Sequence, residues 1–196
     1  MFNAVALSDS SSSCIYRLFV LPLRSIYYEG IMHNMEIERK FLVKDNSYKR
    51  IATAQVAIIQ GYICKEAGRT VRVRLWTCKP LSPTLKVTEE THAYLTIKSK
   101  TGAVGFSRFE WEKEISPTDA RQLLQICLPG LIEKTRWIVP YADNSNLKWE
   151  VDEFHGRMAG LVMAELELER EDQPYTKPDF IGEEVTGDPH YYNANM

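Results

Sequence analysis

The sequence predicts an α+β fold built on a closed antiparallel β-barrel whose interior is charged. From Met35 onward, short segments alternate charged and apolar residues, which is the period of a β-strand. The charged rows are nearly uniform in sign, whereas an exposed sheet usually mixes charges with serine and threonine. The apolar faces carry large side chains such as Phe109, Trp111, Trp137 and Trp149, which need cover from helices or loops. We therefore expect the charged faces to line the interior.

Residues two apart in a strand share a face, so each charged row belongs to one side of its strand. In chain order the rows are Glu36, Glu38 and Lys40; Arg72 and Arg74; Lys98; Glu110, Glu112 and Glu114; Lys134 and Arg136; Glu150 and Asp152; and Glu165, Glu167 and Glu169. For any single segment, an ordinary sheet with one face in solvent is the simpler explanation. The repetition of the pattern along the chain favours the barrel.

Two helices are predicted outside the strands. Ser116-Pro117-Thr118-Asp119 combines a capping serine with a proline in the first turn, and Pro129-Gly130 ends the helix that follows. A second helix is expected to follow Asn46 or Ser47 and to run toward Ile58, with Gly61 opening the next strand. The stretch 102–105, with a glycine at each end, predicts a turn between strands.

The beginning of the chain differs in composition from the rest, with a serine run followed by the apolar stretch Cys14–Leu23. That stretch is too short to span a membrane, and no basic residue precedes it as in a signal peptide. We expect residues 1–34 to be an N-terminal extension, either flexible or upstream of a true start at Met32 or Met35. Residues 35–196 are expected to form a single domain.

The charge balance limits the partners that the protein can attract. The formal net charge of -2 comes from 24 basic and 26 acidic residues, so no overall basic field attracts nucleic acid, and any anion site must be local. The four cysteines form neither a metal-ligand pair nor a disulfide framework, which fits a reducing cytoplasm. The four histidines show no zinc-ligand spacing. No membrane partner is expected, and both a monomer and a homodimer stay open.

Charges that line an interior need counter-charges, water or a ligand, because desolvating a lone charge is costly. A polyanion together with metal ions satisfies both signs. The basic candidates can neutralise phosphate oxygens, the arginines in bidentate geometry; they are Lys40, Arg72, Arg74, Lys98, Lys134 and Arg136. The acidic candidates can hold Mg2+ or Mn2+, hard ions that prefer carboxylate oxygens; they are Glu36, Glu38, Glu165 and Glu167.

The string Glu36–Val43 resembles the Glu-x-Glu-x-Lys motif that opens the CYTH superfamily, the triphosphate tunnel metalloenzymes. Later segments are similar to that family in the same order: Gln60–Tyr62, Val71–Leu75, Leu95–Ser99, Glu110–Glu112, Glu133–Trp137, Glu150–Asp152, Ala164–Glu167 and Phe180–Thr186. The resemblance extends from Met35 almost to the end of the chain. The opening is more similar to the small bacterial inorganic triphosphatases than to class IV adenylate cyclases or animal thiamine triphosphatases.

The resemblance implies a closed eight-stranded antiparallel barrel, the triphosphate tunnel, with helices packed outside. It also implies a metal-dependent enzyme that hydrolyses inorganic triphosphate (tripolyphosphate) to pyrophosphate and phosphate. By motif position, Lys40 and Tyr62 would form a catalytic pair near the reacting phosphate, although a packing role for Tyr62 stays open. The basic candidates would bind phosphates, the acidic candidates would bind metal, and a supporting acidic wall would consist of Glu110, Glu112, Glu150 and Asp152.

Other functions remain open on the same sequence. A class IV-type adenylate cyclase, or a thiamine or nucleoside triphosphatase, would need the same groups and a pocket for a ring, for which Trp76 is either a stacking candidate or a packing residue. A non-catalytic polyphosphate or nucleotide-binding module would need the basic rows and tolerate loss of the carboxylates. The insertion Thr77–Tyr94 departs from the minimal family pattern, which leaves the choice among triphosphates undecided.

Overall fold

Antiparallel strands dominate the part of the chain that the computed structural model describes, which is residues 35–66, 68–79, 90–99, 107–141 and 147–196. The strands are β1 Met35–Val43, β2 Ala54–Glu66, β3 Arg69–Lys79, β4 Thr91–Ser99, β5 Ser107–Ile115, β6 Ile132–Pro140, β7 Lys148–Phe154, β8 Val162–Glu167 and β9 Ile181–Glu184. The α-helix α1 is Pro117–Gln125. Short 3-10 turns occupy Ser47–Arg50, Gly156–Met158, Pro189–Tyr191 and Asn193–Asn195.

Strands β1 to β8 close into a barrel. Their order is β5-β4-β3-β2-β6-β7-β8-β1, and β1 returns to pair with β5. The closure divides β1: Met35 and Ile37 pair with β5, whereas Glu38–Leu42 pair with β8. The short strand β9 adds to β1 outside this ring. All of these pairings are antiparallel, so the predicted eight-stranded barrel is confirmed.

The charged rows face the interior of the barrel. Residues directly opposite each other on paired strands share a face, and the register places Lys40 opposite Glu165 and Arg136 opposite Asp152. The ion pair between Arg136 and Glu165 spans β7, which lies between their two strands. Contacts that reach over an intervening strand in this way require side chains on the concave side. The charged residues that alternate with apolar ones along the strands therefore lie on the enclosed face of the sheet and not on its solvent-exposed face.

The outer face of the barrel is covered unevenly. Trp149 is fully buried, and Phe41, Leu166 and Phe180 belong to the same core cluster, which lies under the segment that leads to β9. Helix α1 covers another part of the barrel through Ala120 and its neighbours, which pack on β3 and β4. By contrast, two side chains expected to need cover, Phe109 and Trp111, are 37% and 38% exposed.

The helix predicted by Ser116 and Pro117 is confirmed. Ser116 has an extended backbone, and its Oγ accepts a hydrogen bond of 3.0 Å from the backbone N–H of Asp119, which satisfies one of the free donors of the first turn. The proline sits at the start, where its missing N–H is not needed. The chain leaves the helix at Ile126 and reaches β6 through Pro129-Gly130.

The second predicted helix is wrong. Ser47–Arg50 forms only a 3-10 turn, and Ala54–Glu66 is the long strand β2, with Gly61 inside it and not at its start. A short apolar run such as Val56–Ile59 does not distinguish strand from helix, and pairing with β3 and β6 decides the outcome. Gly61 is required for packing: a Cβ there would lie 2.6 Å from Leu131 Cδ2 and 2.7 Å from Cys127 Sγ.

One end of the interior is apolar. Tyr62, Ile132, Phe154 and Met163 are all buried there, with exposed fractions of 5% or less. The last residues of the chain pack against this group; those in contact are Tyr191, Ala194 and Met196. The interior thus has a charged middle and an apolar end against which the last residues of the chain pack.

Some expectations fall outside the described residues, namely the N-terminal extension 1–34 and the turn at 102–105. The predicted insertion Thr77–Tyr94 is described only at its ends. Within the described part of the chain, no helix has the length and apolarity needed to cross a membrane.

Candidate active site

Lys134 and Arg136 of β6 are held by carboxylates of the neighbouring strands. Arg136 Nε donates to Asp152 Oδ1 at 2.7 Å, and Nη2 donates to Asp152 Oδ2 at 2.6 Å and to Glu165 Oε2 at 2.8 Å. Nη1 of Arg136 donates to Glu150. Nζ of Lys134 also donates to Asp152. Burial lowers the pKa of Lys134 to about 8, because desolvation outweighs the attraction of Asp152. This wall of the barrel is saturated with ion pairs.

Lys40 links β1 to β8. Its Nζ donates to Glu165 and lies 3.1 Å from Glu38 Oε1. Burial opposes the charge of Lys40, but the carboxylates of Glu165 and Glu38 outweigh it and raise its pKa. The same lysine and Arg136 hold the pKa of Glu165 well below its usual range despite burial. Lys40 is therefore a fixed cation near neutral pH and cannot serve as a base.

Lys98 and Arg72 occupy the opposite wall. Lys98 Nζ lies 2.6 Å from both carboxylate oxygens of Glu36 and 3.0 Å from Glu110. Arg72 Nη2 donates to Thr96 Oγ1 at 3.2 Å and lies 3.7 Å from Glu110. Because its distances to the carboxylates are longer, the guanidinium of Arg72 is less firmly paired than the ammonium group of Lys98.

The expected acidic wall consists of partners of the basic residues. Glu112 accepts from Thr96 Oγ1 at 2.6 Å and lies 3.6 Å from Arg72. Although burial favours the neutral acid, Arg136 and Lys148 lower the pKa of Glu150 to about 2. These carboxylates compensate the charge of the basic residues in the interior.

Arg108 is an interior cation that the sequence reasoning missed. Its Nε donates to Glu36 Oε2 at 2.9 Å, and its Nη2 donates to Glu38 Oε1 at 3.2 Å. Arg108 is in phase with Glu110 and Glu112 on β5, so the alternation itself carried the signal. It was overlooked because that row was read as uniformly acidic. Thr96 and Gln60 also face the interior, and they were missed because only charged residues were used to identify the interior rows.

Arg74 differs from the other interior cations. Among the described residues it has no hydrogen-bond or ion-pair partner, and its Nε is buried without an acceptor. Desolvation, together with the neighbouring charges of Arg72 and Arg136, lowers its pKa. A buried guanidinium in this state has a strong electrostatic demand for an anion.

Glu167 is the acidic counterpart of Arg74. It lies opposite Glu38, at the end of β8, and no ion pair involves it in the described part of the chain. Although its side chain reaches solvent, partial desolvation and the carboxylates of Glu36, Glu150 and Glu110 raise its pKa to about 7. Among the described residues, Glu167 is therefore an interior carboxylate without an ion-pair partner, beside carboxylates that are already paired.

The carboxylates nearest to Glu167 fit a hard divalent cation. Glu36 and Glu38 lie on the same interior row of β1, and Glu38 is the cross-strand neighbour of Glu167. Among the described residues, no group of three or more His, Cys, Asp or Glu side chains is already arranged to hold a metal ion. The reason is visible in the contacts, since Lys98 and Arg108 occupy Glu36 and Glu38. Glu165, the fourth candidate, is engaged by two cations and fits a metal less well.

Tyr62 lies opposite Arg72, but its ring packs in the apolar end of the interior with Ile132, Phe154 and Met163. Burial raises the pKa of its hydroxyl even though Arg72 and its cationic neighbours favour the phenolate. The arrangement therefore favours the packing alternative for Tyr62 over the role of a base.

Trp76 follows Arg74 on the interior face of β3, away from the apolar end. It stacks on His92, with ring centroids 4.6 Å apart, and on Tyr94, with centroids 6.2 Å apart. His92 is held in turn by Glu114, at 2.8 Å from Nδ1. Because the indole already packs against protein rings, this geometry favours the packing alternative for Trp76 as well.

Comparison with known proteins gives the same picture. The model of the CYTH domain matches residues 34–192. An inorganic triphosphatase of Acetivibrio thermocellus is 41% identical over 82% of this chain and 92% of its own length. An inorganic triphosphatase of Nitrosomonas europaea is 32% identical over 82% of this chain and 95% of its own. A crystal structure of an inorganic triphosphatase is 28% identical, covers 85% of this chain and 95% of its own, and superimposes with a TM-score of 0.50.

Proposed function

The chain belongs to the CYTH domain family, and from this premise we propose that it is a metal-dependent triphosphatase that hydrolyses inorganic triphosphate to pyrophosphate and phosphate. The observation that carries this proposal is the interior of the barrel, where cations from five strands converge and Arg74 forms no ion pair with a described residue. A linear anion with several phosphoryl groups matches such a row of charges better than a single phosphate does.

The basic residues act by binding and neutralising the substrate. Arg74 binds phosphate oxygens first, because it has no partner among the described residues to give up. Arg72, Lys98, Lys134, Arg136 and Lys40 exchange carboxylate contacts for phosphate contacts, and this exchange limits the desolvation cost of binding. Since phosphoryl transfer needs mainly positioning and charge neutralisation, these contacts account for much of the catalytic effect.

The proposed metal ligands are Glu36, Glu38 and Glu167. The proposed ion is Mg2+, and Mn2+ can replace it. Bound there, a divalent cation would supply positive charge against the phosphate oxygens. The carboxylates of Glu36 and Glu38 become available when Lys98 and Arg108 turn toward the substrate. The binding of the polyanion is thus coupled to the binding of the metal, because both require the ion pairs of Lys98 and Arg108 with Glu36 and Glu38 to open.

In the reaction, a water oxygen attacks the terminal phosphorus, and the bond from that phosphorus to the bridging oxygen breaks. Pyrophosphate leaves with the electron pair of the broken bond. One proton of the water stays on the released phosphate, and the other passes to solvent. The interior cations stabilise the charge that builds up on the bridging and terminal oxygens.

The test is phosphate release from tripolyphosphate, ATP and thiamine triphosphate, with Mg2+, with Mn2+ and with a chelator. We expect metal-dependent cleavage of tripolyphosphate that Glu38→Gln abolishes and that Glu183→Gln, an exposed control on β9, retains. Cleavage in the chelator, or full activity of the Glu38 variant, would contradict the metal assignment. Cyclic AMP formation from ATP would identify a cyclase instead, and tight binding without cleavage would identify a binding module.

A further inference from the structure

The side-chain amide of Gln60 is buried without any hydrogen-bond partner. Gln60 is 0% exposed, and neither its Oε1 nor its Nε2 makes a hydrogen bond within the described part of the chain. Native structures rarely leave both ends of a buried amide unsatisfied, because each unpaired group loses its hydration without compensation. A buried amide in this state therefore calls for a partner beyond the described residues.

The position of Gln60 indicates where that partner binds. Gln60 lies on β2 opposite Arg74 of β3 and opposite Ile132 of β6. It therefore faces the interior at the boundary between the charged middle and the apolar end. Arg74 Nε and Arg72 Nε are also buried without acceptors. Three unsatisfied groups thus meet on the β2–β3 wall, whereas the wall formed by β6 to β8 is saturated with ion pairs.

The chemistry of the three groups differs in one respect. The two arginines are donors only, and phosphate oxygens can satisfy them. Gln60 can donate from Nε2 to a phosphate oxygen as well, but its Oε1 needs a donor, which a deprotonated polyphosphate cannot supply. A water molecule next to the phosphate supplies that donor. A polyphosphate and a neighbouring water molecule together satisfy both hydrogen-bonding groups of the amide.

We propose that Gln60 contacts the substrate directly, with Nε2 donating to a phosphate oxygen of the bound triphosphate and Oε1 accepting from the attacking water. This inference rests on the proposed function and deepens it. It assigns the orientation of the water to the neutral side-chain amide of Gln60. Tyr62 lies two residues further along the same face, but its surroundings are too apolar for this role. Gln60 changes no bond itself and exchanges no proton.

Two substitutions separate this role from a structural one. Gln60→Leu removes both polar groups at similar volume, so the ligand-free protein should unfold at the same or a higher temperature. Gln60→Glu places a carboxylate opposite Arg74, which should raise the melting temperature of the free protein further and compete with phosphate. In both variants the gain in melting temperature produced by tripolyphosphate in a chelator should shrink. Gln55→Leu is the matched control, since Gln55 lies on the same strand but on the opposite face.

For turnover, Gln60→Leu should lower kcat by roughly 10- to 100-fold, the range expected for lost hydrogen bonds to charged and reacting groups, with a smaller change in KM. Activity within twofold of wild type, or a Leu variant that melts at a lower temperature than wild type, would overturn the inference. If the wild type fails to cleave tripolyphosphate, the proposed function fails. The melting experiment in chelator then still decides whether Gln60 contacts the polyanion.

Discussion

Arg136 and Asp152 lie opposite each other on β6 and β7 and form a bidentate pair, with Nε to Oδ1 at 2.7 Å and Nη2 to Oδ2 at 2.6 Å. Asp152 is 1% exposed and also accepts from Lys134. A single carboxylate is thus shared by two interior cations, and among the described residues it is the ion-pair partner of Lys134. Removing one member of such a set leaves uncompensated buried charge, which costs more than the set itself contributes.

Asp152→Asn should therefore destabilise the protein strongly while preserving its shape. We expect a loss of about 3 kcal/mol or more in the free energy of unfolding, as for other broken buried pairs, measured by urea denaturation. Tripolyphosphate should recover part of this loss, because its oxygens replace the missing charge. Glu183→Gln, at an exposed position, should change little. A stable Asn variant would show that Lys134 and Arg136 do not depend on Asp152.

Arg74→Met should have the opposite profile. Arg74 has no protein partner among the described residues, so its removal should leave the stability of the free protein unchanged or higher. Loss of a charge-assisted contact to phosphate should lower kcat/KM for tripolyphosphate by about 10- to 100-fold. Arg69→Met is the control, since Arg69 lies on the same strand in an exposed pair with Glu66. A stability loss with retained turnover would refute the assignment of Arg74 to substrate binding.

The pH dependence of the protein's stability should show the titration of the Glu167 carboxyl. Its pKa rises from 4.5 in the unfolded chain to about 7 in the fold, so the folded protein binds the additional proton. The resulting stabilisation is complete below the unfolded pKa and is lost as pH rises toward 7. In chelator, the melting temperature should fall between pH 5 and about 7.5, and Glu167→Gln should flatten this slope. An unchanged slope in the variant would assign the titration to another group.

Gly61→Ala should test the contact between β2 and the segment that follows α1. The added Cβ would lie within 2.6 to 2.9 Å of atoms of Leu131 and Cys127, so strands or loop must shift. We expect a loss of about 1 to 3 kcal/mol in the free energy of unfolding, as for other overpacked positions. Cys127→Ala in the same chain should restore part of it, which differential scanning calorimetry can measure. Additive losses in the double variant would exclude steric conflict as the cause.

The sequence predicted the barrel well because its information is local. A charged row at period two assigns each residue to a face without knowledge of its neighbours, and the interior positions of Lys40 and Arg136 followed from it. Long-range information was missing. The apolar surroundings of Tyr62 depend partly on Tyr191, which is distant in sequence, and the strand at Val56–Ile59 depends on pairing with β6. The alternation on β5 also places Arg108 on the interior face, but Arg108 was not predicted because the row was interpreted as purely acidic.

The apolar end, where Met196 and Tyr191 pack over Tyr62 and Phe154, gives the barrel a direction. We expect a polyphosphate to enter from the charged side, because an anion that crossed the apolar end would lose its hydration without gaining counter-charges. Pyrophosphate, a shorter anion of the same kind, should then compete with tripolyphosphate for the interior cations. A longer polyphosphate should reach those cations with its terminus first.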